Sequence, residues 1–240
     1  MSNLMKIGVK TFDYIREFEY FKDKADFIEI MAVEGRDYSK FKDFKIPFII
    51  HSQHTTFGIN NADKTLYQKN LDSFNYAKKV ADMLGAKKII VHPGDIEGDN
   101  CSENNSVNFI KSLKDNRIII ENMPRKNALC RTPKQLKEFI TKTGCGFCFD
   151  INHAILIAQN LKKDYKEIIK SFVKLKPNHF HLGGQKIPGK DHLCFSDSEL
   201  DLKEIFSFLP TGAEITLETS KDIEKTKEDL KVIREVLKEI

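Results

Sequence analysis

Short apolar, β-branched runs alternate with longer amphipathic stretches along the whole 240-residue chain, and this alternation limits the fold more than any other feature. It is the pattern of repeated β-α units around a parallel sheet. Strand candidates are read at 5–12, 27–32, 48–53, 88–94, 117–123, 146–151, 179–183 and 214–219. Several, such as Ile118-Ile119-Ile120, are apolar on both faces, as strands are when a barrel interior covers one side and helices the other. The stretches between them follow the helical period. Leu66, Phe74, Ala77, Ala81 and Leu84 recur at that spacing with Gly85 in the capping place. Thr132-Pro133 opens a further helix that Gly144 closes, and Ile223, Leu230, Ile233, Leu237 and Ile240 share one face of the last. Eight units in a chain of this length predict an α/β fold, a single closed (β/α)8 TIM barrel spanning 1–240 as one domain, rather than an open doubly wound sheet.

Composition narrows the class. With 40% hydrophobic and 31% charged residues the chain reads as a soluble globular protein, neither disordered nor membrane-embedded. No apolar run approaches the roughly 18 residues that span a bilayer, and the Met1 end lacks a basic segment followed by an apolar one, so a cytoplasmic protein is expected. Five cysteines, an odd number, do not form the framework of a secreted domain, and the lone Cys145/Cys148 pair flanks a strand and reads as structural. A net charge of +4 suits a phosphorylated or polyanionic partner but falls short of a dedicated nucleic-acid module.

Barrel enzymes carry their chemistry at the C-terminal ends of the strands. Read there, the chain presents His51, His92, Glu121, Asp150 with His153 just beyond, His181, the loop residues Asp191 and His192, and Glu218. Every one can ligate a metal. Imidazole with carboxylate suits zinc, manganese or iron, and a carboxylate can bridge two ions. An isolated histidine at a strand end is more often a hydrogen-bonded core residue, but most of the seven here fall on one rim. Buried Glu121, Asp150 and Glu218 facing one another without cations would be prohibitively costly. His54 reads as a solvated loop residue and His179 as a core neighbour one layer below His181. Arg125, Lys126, Arg131, Lys186, Lys190 and Lys221 make the same rim basic, and Arg125, Lys126, Lys186 and Lys190 are candidate contacts for a substrate phosphate.

The motifs IIVHPGD (89–95), IIIENMP (118–124), FDINH (149–153), HLGG (181–184), KDH (190–192) and ITLET (215–219), in this order, resemble those of the endonuclease IV family within the xylose-isomerase-like barrels. The resemblance implies that His51, His92 and Glu121 hold one ion, that Glu121 bridges to a second held by Asp150, His181 and Glu218, and that His153 and His192 belong to a third. It also implies a metal-dependent phosphodiesterase that cleaves damaged duplex DNA 5′ of abasic sites, with Glu121 and Glu218 at the reacting centre. The chain departs from the family pattern at Lys190, two residues before His192, where an Asp is usual, and at Ser196-Asp197-Ser198, where Gly-x-Gly is usual. Two ions, zinc foremost, are therefore expected to bind firmly and the third weakly, with Asp191 as a displaced ligand. The same superfamily contains divalent-metal sugar isomerases and epimerases, whose single ion is held by a set resembling Glu121, Asp150, His181 and Glu218; their substrate would be a small sugar or sugar phosphate. A metal-dependent binding protein without turnover is the third class open at this stage.

Overall fold

The computed structural model describes residues 5–11, 15–219 and 222–240. Eight parallel strands close on themselves in chain order: β1 (Lys6–Thr11), β2 (Phe27–Met31), β3 (Phe48–His51), β4 (Ile89–Val91), β5 (Ile118–Glu121), β6 (Gly146–Asp150), β7 (His179–Leu182) and β8 (Glu214–Leu217). Each lies inside an expected segment and is shorter than it; Phe12 lies outside the described residues, and Ile151 already opens the helix after the sixth strand. Around them run α1 (Ile15–Phe21), α2 (Tyr67–Leu84), α3 (Glu103–Ser112), α4 (Pro133–Thr143), α5 (Ile151–Leu161), α6 (Tyr165–Val173), α7 (Leu202–Phe208) and α8 (Ile223–Lys238). The β-α alternation breaks twice. Between β2 and β3 there is only a single 3-10 turn, Ser39–Phe41, and its Phe41 ring stacks on Phe18 of α1 at 4.1 Å, covering the barrel wall without a helix. Between β6 and β7 there are two helices, α5 and α6.

The helix ends follow their local chemistry. Gly85 and Gly144 take left-handed backbone (φ 67° and 74°) and close α2 and α4, while Thr132 and Gln135 form a reciprocal capping box that opens α4. Of the last helix's apolar face, Leu230 and Ile233 are buried, whereas Ile240 lies past the helix end in solvent. No helix among the described residues is long and apolar enough to cross a membrane.

Alternation along each strand divides the barrel wall in two. Outward residues such as Ile28, Ile30, Ile50, Ile118, Ile120, Phe147 and Phe149 pack under the helices. Inward, Phe27, Ile49, Ile90, Ile119 and Cys148 fill the lower barrel as a separate apolar layer. Gly8 belongs to that layer because a Cβ there would fall 2.1 Å from the Phe27 ring. Two residues further along each strand the inward positions change character, and the site begins there.

Candidate metal centre

One step above the apolar layer, each strand or its immediate end contributes one ionisable side chain: Lys10, Glu29, His51, His92, Glu121, Asp150, His181 and Glu218, in order from β1 to β8. All but Lys10, His92 and Glu218 are buried outright. Four carboxylates share this ring with one ammonium, so the layer carries a strong excess of negative charge in a place poorly reached by water.

Glu121 is the hub. Its Oε2 lies 3.2 Å from His51 Nε2 and 3.1 Å from His92 Nε2. His181 Nδ1 stands 3.1 Å from Glu218 Oε1, 3.8 Å from Glu121 Oε2 and 3.9 Å from Asp150 Oδ2. His192 Nε2 lies 4.0 Å from Asp150 Oδ2. Among the described residues five groups of three have ligand atoms within 4.8 Å of one another: three adjoin through shared carboxylates, His51–His92–Glu121, Glu121–Asp150–His181 and Asp150–His153–His192, and two contain Glu29, with His179 and His181 and with His51 and Glu218. Asp191 stands outside them, with Oδ2 3.7 Å from His192 Nε2; the carboxylate that completes the third group is Asp150.

Backbone carbonyls orient the rings. His51 Nδ1 donates to Ser52 O (2.8 Å), His153 Nδ1 to Asn122 O (2.7 Å) and His192 Nδ1 to Glu218 O (3.1 Å), which leaves Nε2 of each as the lone-pair nitrogen. Buried asparagines join successive strand ends. Asn122 Oδ1 accepts from Asp150 N (2.7 Å) while its Nδ2 donates to Asp150 O (2.9 Å); Asn152 does the same for Gly183 (2.6 and 3.0 Å). Asn60 braces the His92–Asp95 turn, accepting from Asp95 N and donating to Asp95 O, both at 2.9 Å. Gly183 is required where it stands, since a Cβ would come within 2.4 Å of Glu218 O and 3.0 Å of His192 Cα. His192 itself sits in left-handed backbone (φ 50°), an uncommon conformation for a residue with a side chain.

The electrostatics of the ring favour added positive charge. Burial raises the Asp150 carboxyl, opposed by His153 and His192, and its Oδ2 has no hydrogen-bond partner. Nor does Nδ1 of His92 or of His181. Burial opposes charge on His181, yet its neighbours, the Cys148 sulfur and the Glu218 and Glu29 carboxylates, hold it well above the ordinary imidazole range. Since burial pushes the Cys148 thiol up to about 12 and keeps it neutral, the carboxylates carry that effect. Burial likewise works against Glu121 and Glu218, and His92 beside the first and His181 and Lys10 beside the second hold both low. Anionic oxygens, lone-pair nitrogens and orphaned buried atoms converging on one volume are what a divalent cation needs, and the residues fit one.

The remaining expectations divide. His54 is not a solvated residue: it is half-buried, its ring stacks on His92 at 4.6 Å, and burial beside His92 and His51 lowers its pKa to about 2. His179 is buried, bonded through Nε2 to Thr216 Oγ1 (2.7 Å), in keeping with its core reading. Arg125 is already engaged, with Nη2 2.5 Å from Asp95 Oδ2 and 2.6 Å from Thr55 Oγ1. Arg131 donates through Nε to Pro124 O at 3.3 Å. Lys126, Lys186 and Lys190 are exposed on the loops, and Lys221 lies outside the described residues. Lys190, which stands where an Asp is usual, has an exposed side chain, and its carbonyl accepts from Lys186 N. Reading strand ends alone missed Lys10 and Glu29, whose signal was a charge interrupting the apolar runs KIGVKT and FIEIM.

The family model of the xylose isomerase-like TIM barrel matches residues 4–236. The chain belongs to that family. Among similar proteins, an uncharacterized protein of Methanocaldococcus jannaschii is 23% identical over 234 residues, covering 84% of this chain and 89% of its own. Two solved structures superpose closely. A D-tagatose 3-epimerase-like protein gives a TM-score of 0.79 at 20% identity, covering 98% of this chain and 97% of that one. Endonuclease IV from Thermus thermophilus gives 0.75 at 17% identity, covering 98% and 100%. At these identities the likeness establishes the shared barrel, and the choice of reaction rests on the side chains above.

Proposed function

We propose that this chain is a metal-dependent phosphoester hydrolase of the endonuclease IV type, cleaving duplex DNA 5′ of abasic sites. The observation that carries this reading is the shared carboxylate: Glu121 belongs at once to a group with His51 and His92 and to a group with Asp150 and His181. A mononuclear isomerase is served by Glu121, Asp150, His181 and Glu218 and has no use for the His51–His92 pair. Divalent ions held by these groups, zinc foremost with manganese or iron accepted by the same donors, would supply Lewis acidity and positive charge to a phosphoester. Two ions are expected to bind firmly and the third weakly, since its group lacks the carboxylate usual two residues before His192 and Asp191 stands outside it. Glu121 and Glu218 are the carboxylates at the reacting centre. Lys126, Lys186 and Lys190, exposed on the rim loops, would meet phosphate, and Arg125 would do so by exchanging its Asp95 partner.

A sugar isomerase or epimerase is the second reading, favoured by the way Glu121 and Glu218 both approach His181 Nδ1, at 3.8 and 3.1 Å, and so flank one position. The deciding assay uses duplex DNA with a tetrahydrofuran abasic analogue and the protein loaded in turn with zinc, manganese and magnesium. A nick leaving a 3′ hydroxyl, abolished by a chelator and weakening steeply with salt, is expected. No nick with any metal, together with epimerisation of a ketose, overturns the hydrolase reading.

A further inference from the structure

Glu29 has no place in the three ligand groups around Glu121 and Asp150, yet it is buried at the centre of the ring, and its hydrogen bonds run in one direction. Its Oε2 accepts from Thr216 Oγ1 at 2.8 Å and from His181 Nε2 at 2.9 Å. Since the Thr216 hydroxyl donates its hydrogen to the carboxylate, it accepts from His179 Nε2 at 2.7 Å. Its Oε1 faces Lys10 Nζ at 3.3 Å, and the same ammonium pairs with Glu218. Glu29 also lies within ligand distance of His179 and His181, and of His51 and Glu218, but its Oε2 already accepts two hydrogen bonds, and its Oε1, which has no hydrogen-bond partner, faces the Lys10 ammonium.

The consequence falls on His181. In His51, His153 and His192 a backbone carbonyl holds Nδ1–H and leaves Nε2 for a ligand. In His181 the arrangement is reversed: Nε2 is held by Glu29, and Nδ1, without a hydrogen-bond partner, faces Glu218, Glu121 and Asp150. We infer that Glu29 is a positioning residue that fixes His181 as an Nδ1 ligand of the central ion, with the Lys10 ammonium beside its other oxygen. This rests on the metal-centre reading above and adds to it a residue that touches neither ion nor substrate.

A glutamine at this position cannot do the same work. Turned one way, its amide NH2 faces the Lys10 ammonium; turned the other, it faces His181 Nε2–H and Thr216 O–H, and a donor meets a donor either way. Glu29→Gln is therefore expected to weaken central-ion affinity about 10- to 100-fold, the usual consequence of losing a partner that orients a ligand. Zinc affinity of wild type and variant is measured by competition with a chromophoric chelator, with circular dichroism as the folding control. On wild-type protein labelled with nitrogen-15 histidine and loaded with cadmium-113, the His181 resonance should show cadmium coupling at Nδ1 and a protonated Nε2. That pattern together with the affinity loss supports the inference, and the spectrum stands as a test even if the variant fails to fold. Coupling at Nε2, or a folded Glu29→Gln protein binding zinc within twofold of wild type, overturns it while leaving the metal centre intact. A wild-type protein that binds neither ion overturns both.

Discussion

Glu121 concentrates the argument at the scale of a residue, because one of its oxygens meets two imidazoles and the same side chain completes the neighbouring group. Replacing it by glutamine keeps the volume and removes the negative charge that two cations would share. Glu121→Gln is expected to keep the barrel's circular dichroism, to hold at most one ion per chain, and to lose about a thousandfold in hydrolysis, since a metal's contribution of several kcal/mol corresponds to that factor. Metal content by mass spectrometry beside the nicking rate checks it; unchanged content with near-normal turnover would remove the bridging role. Other single residues constrain the site by shape rather than charge. Gly183 admits the close approach of His192, and His192 accepts a left-handed backbone to bring its ring beside Asp150.

At the scale of elements, the strands keep distinct chemistry at their two ends. At the N-terminal end of the barrel, Glu214 of β8 pairs with Lys6 of β1 at 3.0 Å and with Lys88 before β4 at 2.5 Å, a clasp far from the metal centre. Burial works against the Glu214 charge, but the hydrogen bonds from Lys88 and Lys6 prevail and hold its pKa below the ordinary value of 4.5. A carboxyl depressed in the folded state stabilises above its unfolded pKa, and that contribution is lost as pH falls through the folded value. Glu214→Gln should therefore cost at most about 1 kcal/mol at pH 7, as partly exposed pairs do. The gap from wild type should close in acid below the carboxylate range, read from urea melts at several pH values; a gap that widens in acid contradicts the assignment. The contrast with the opposite end explains what was legible in the sequence. His51, Glu121 and Asp150 stood out because each ends an apolar strand, and His92 and Glu218 because each follows one. Lys10 and Glu29 did not, because they lie within strands, where only the parity of the inward face shows that a charge points into the barrel. The missing helix after β2 was equally hidden: Phe41 and Phe44 look like part of an amphipathic pattern, and only packing on Phe18 shows that aromatic rings replace a helix there. Asp191 was the natural substitute for the usual carboxylate by sequence distance, but the neighbouring strand's Asp150 is the one that meets His153 and His192.

For the whole molecule, the barrel gathers eight ionisable side chains into one ring, a layer that costs stability until cations enter it. Anything that binds the folded state alone stabilises by mass action, so the melting temperature should climb with metal concentration. Above saturation, each tenfold increase adds about 1.4 kcal/mol per bound ion, and a chain of this size gains roughly 2–4 °C per kcal/mol. A single ion therefore predicts a slope of about 3–6 °C per decade, and two firmly held ions about twice that. The slope counts ions without any assay of turnover, which separates a multinuclear centre from a mononuclear one. Zinc also binds unfolded chains, and seven histidines with five cysteines would flatten its slope, so manganese, less drawn to thiolate, is the cleaner count. Magnesium, which favours oxygen ligands, should shift the melt far less than zinc at equal concentration because half of the donors here are imidazole. A melting temperature indifferent to zinc and manganese, and unchanged by a chelator, would mean that the ring is balanced by protons and Lys10 alone, and the proposed hydrolase would have no working centre. A two-ion slope that falls to a one-ion slope in Glu121→Gln would instead identify that carboxylate as the link between the ions.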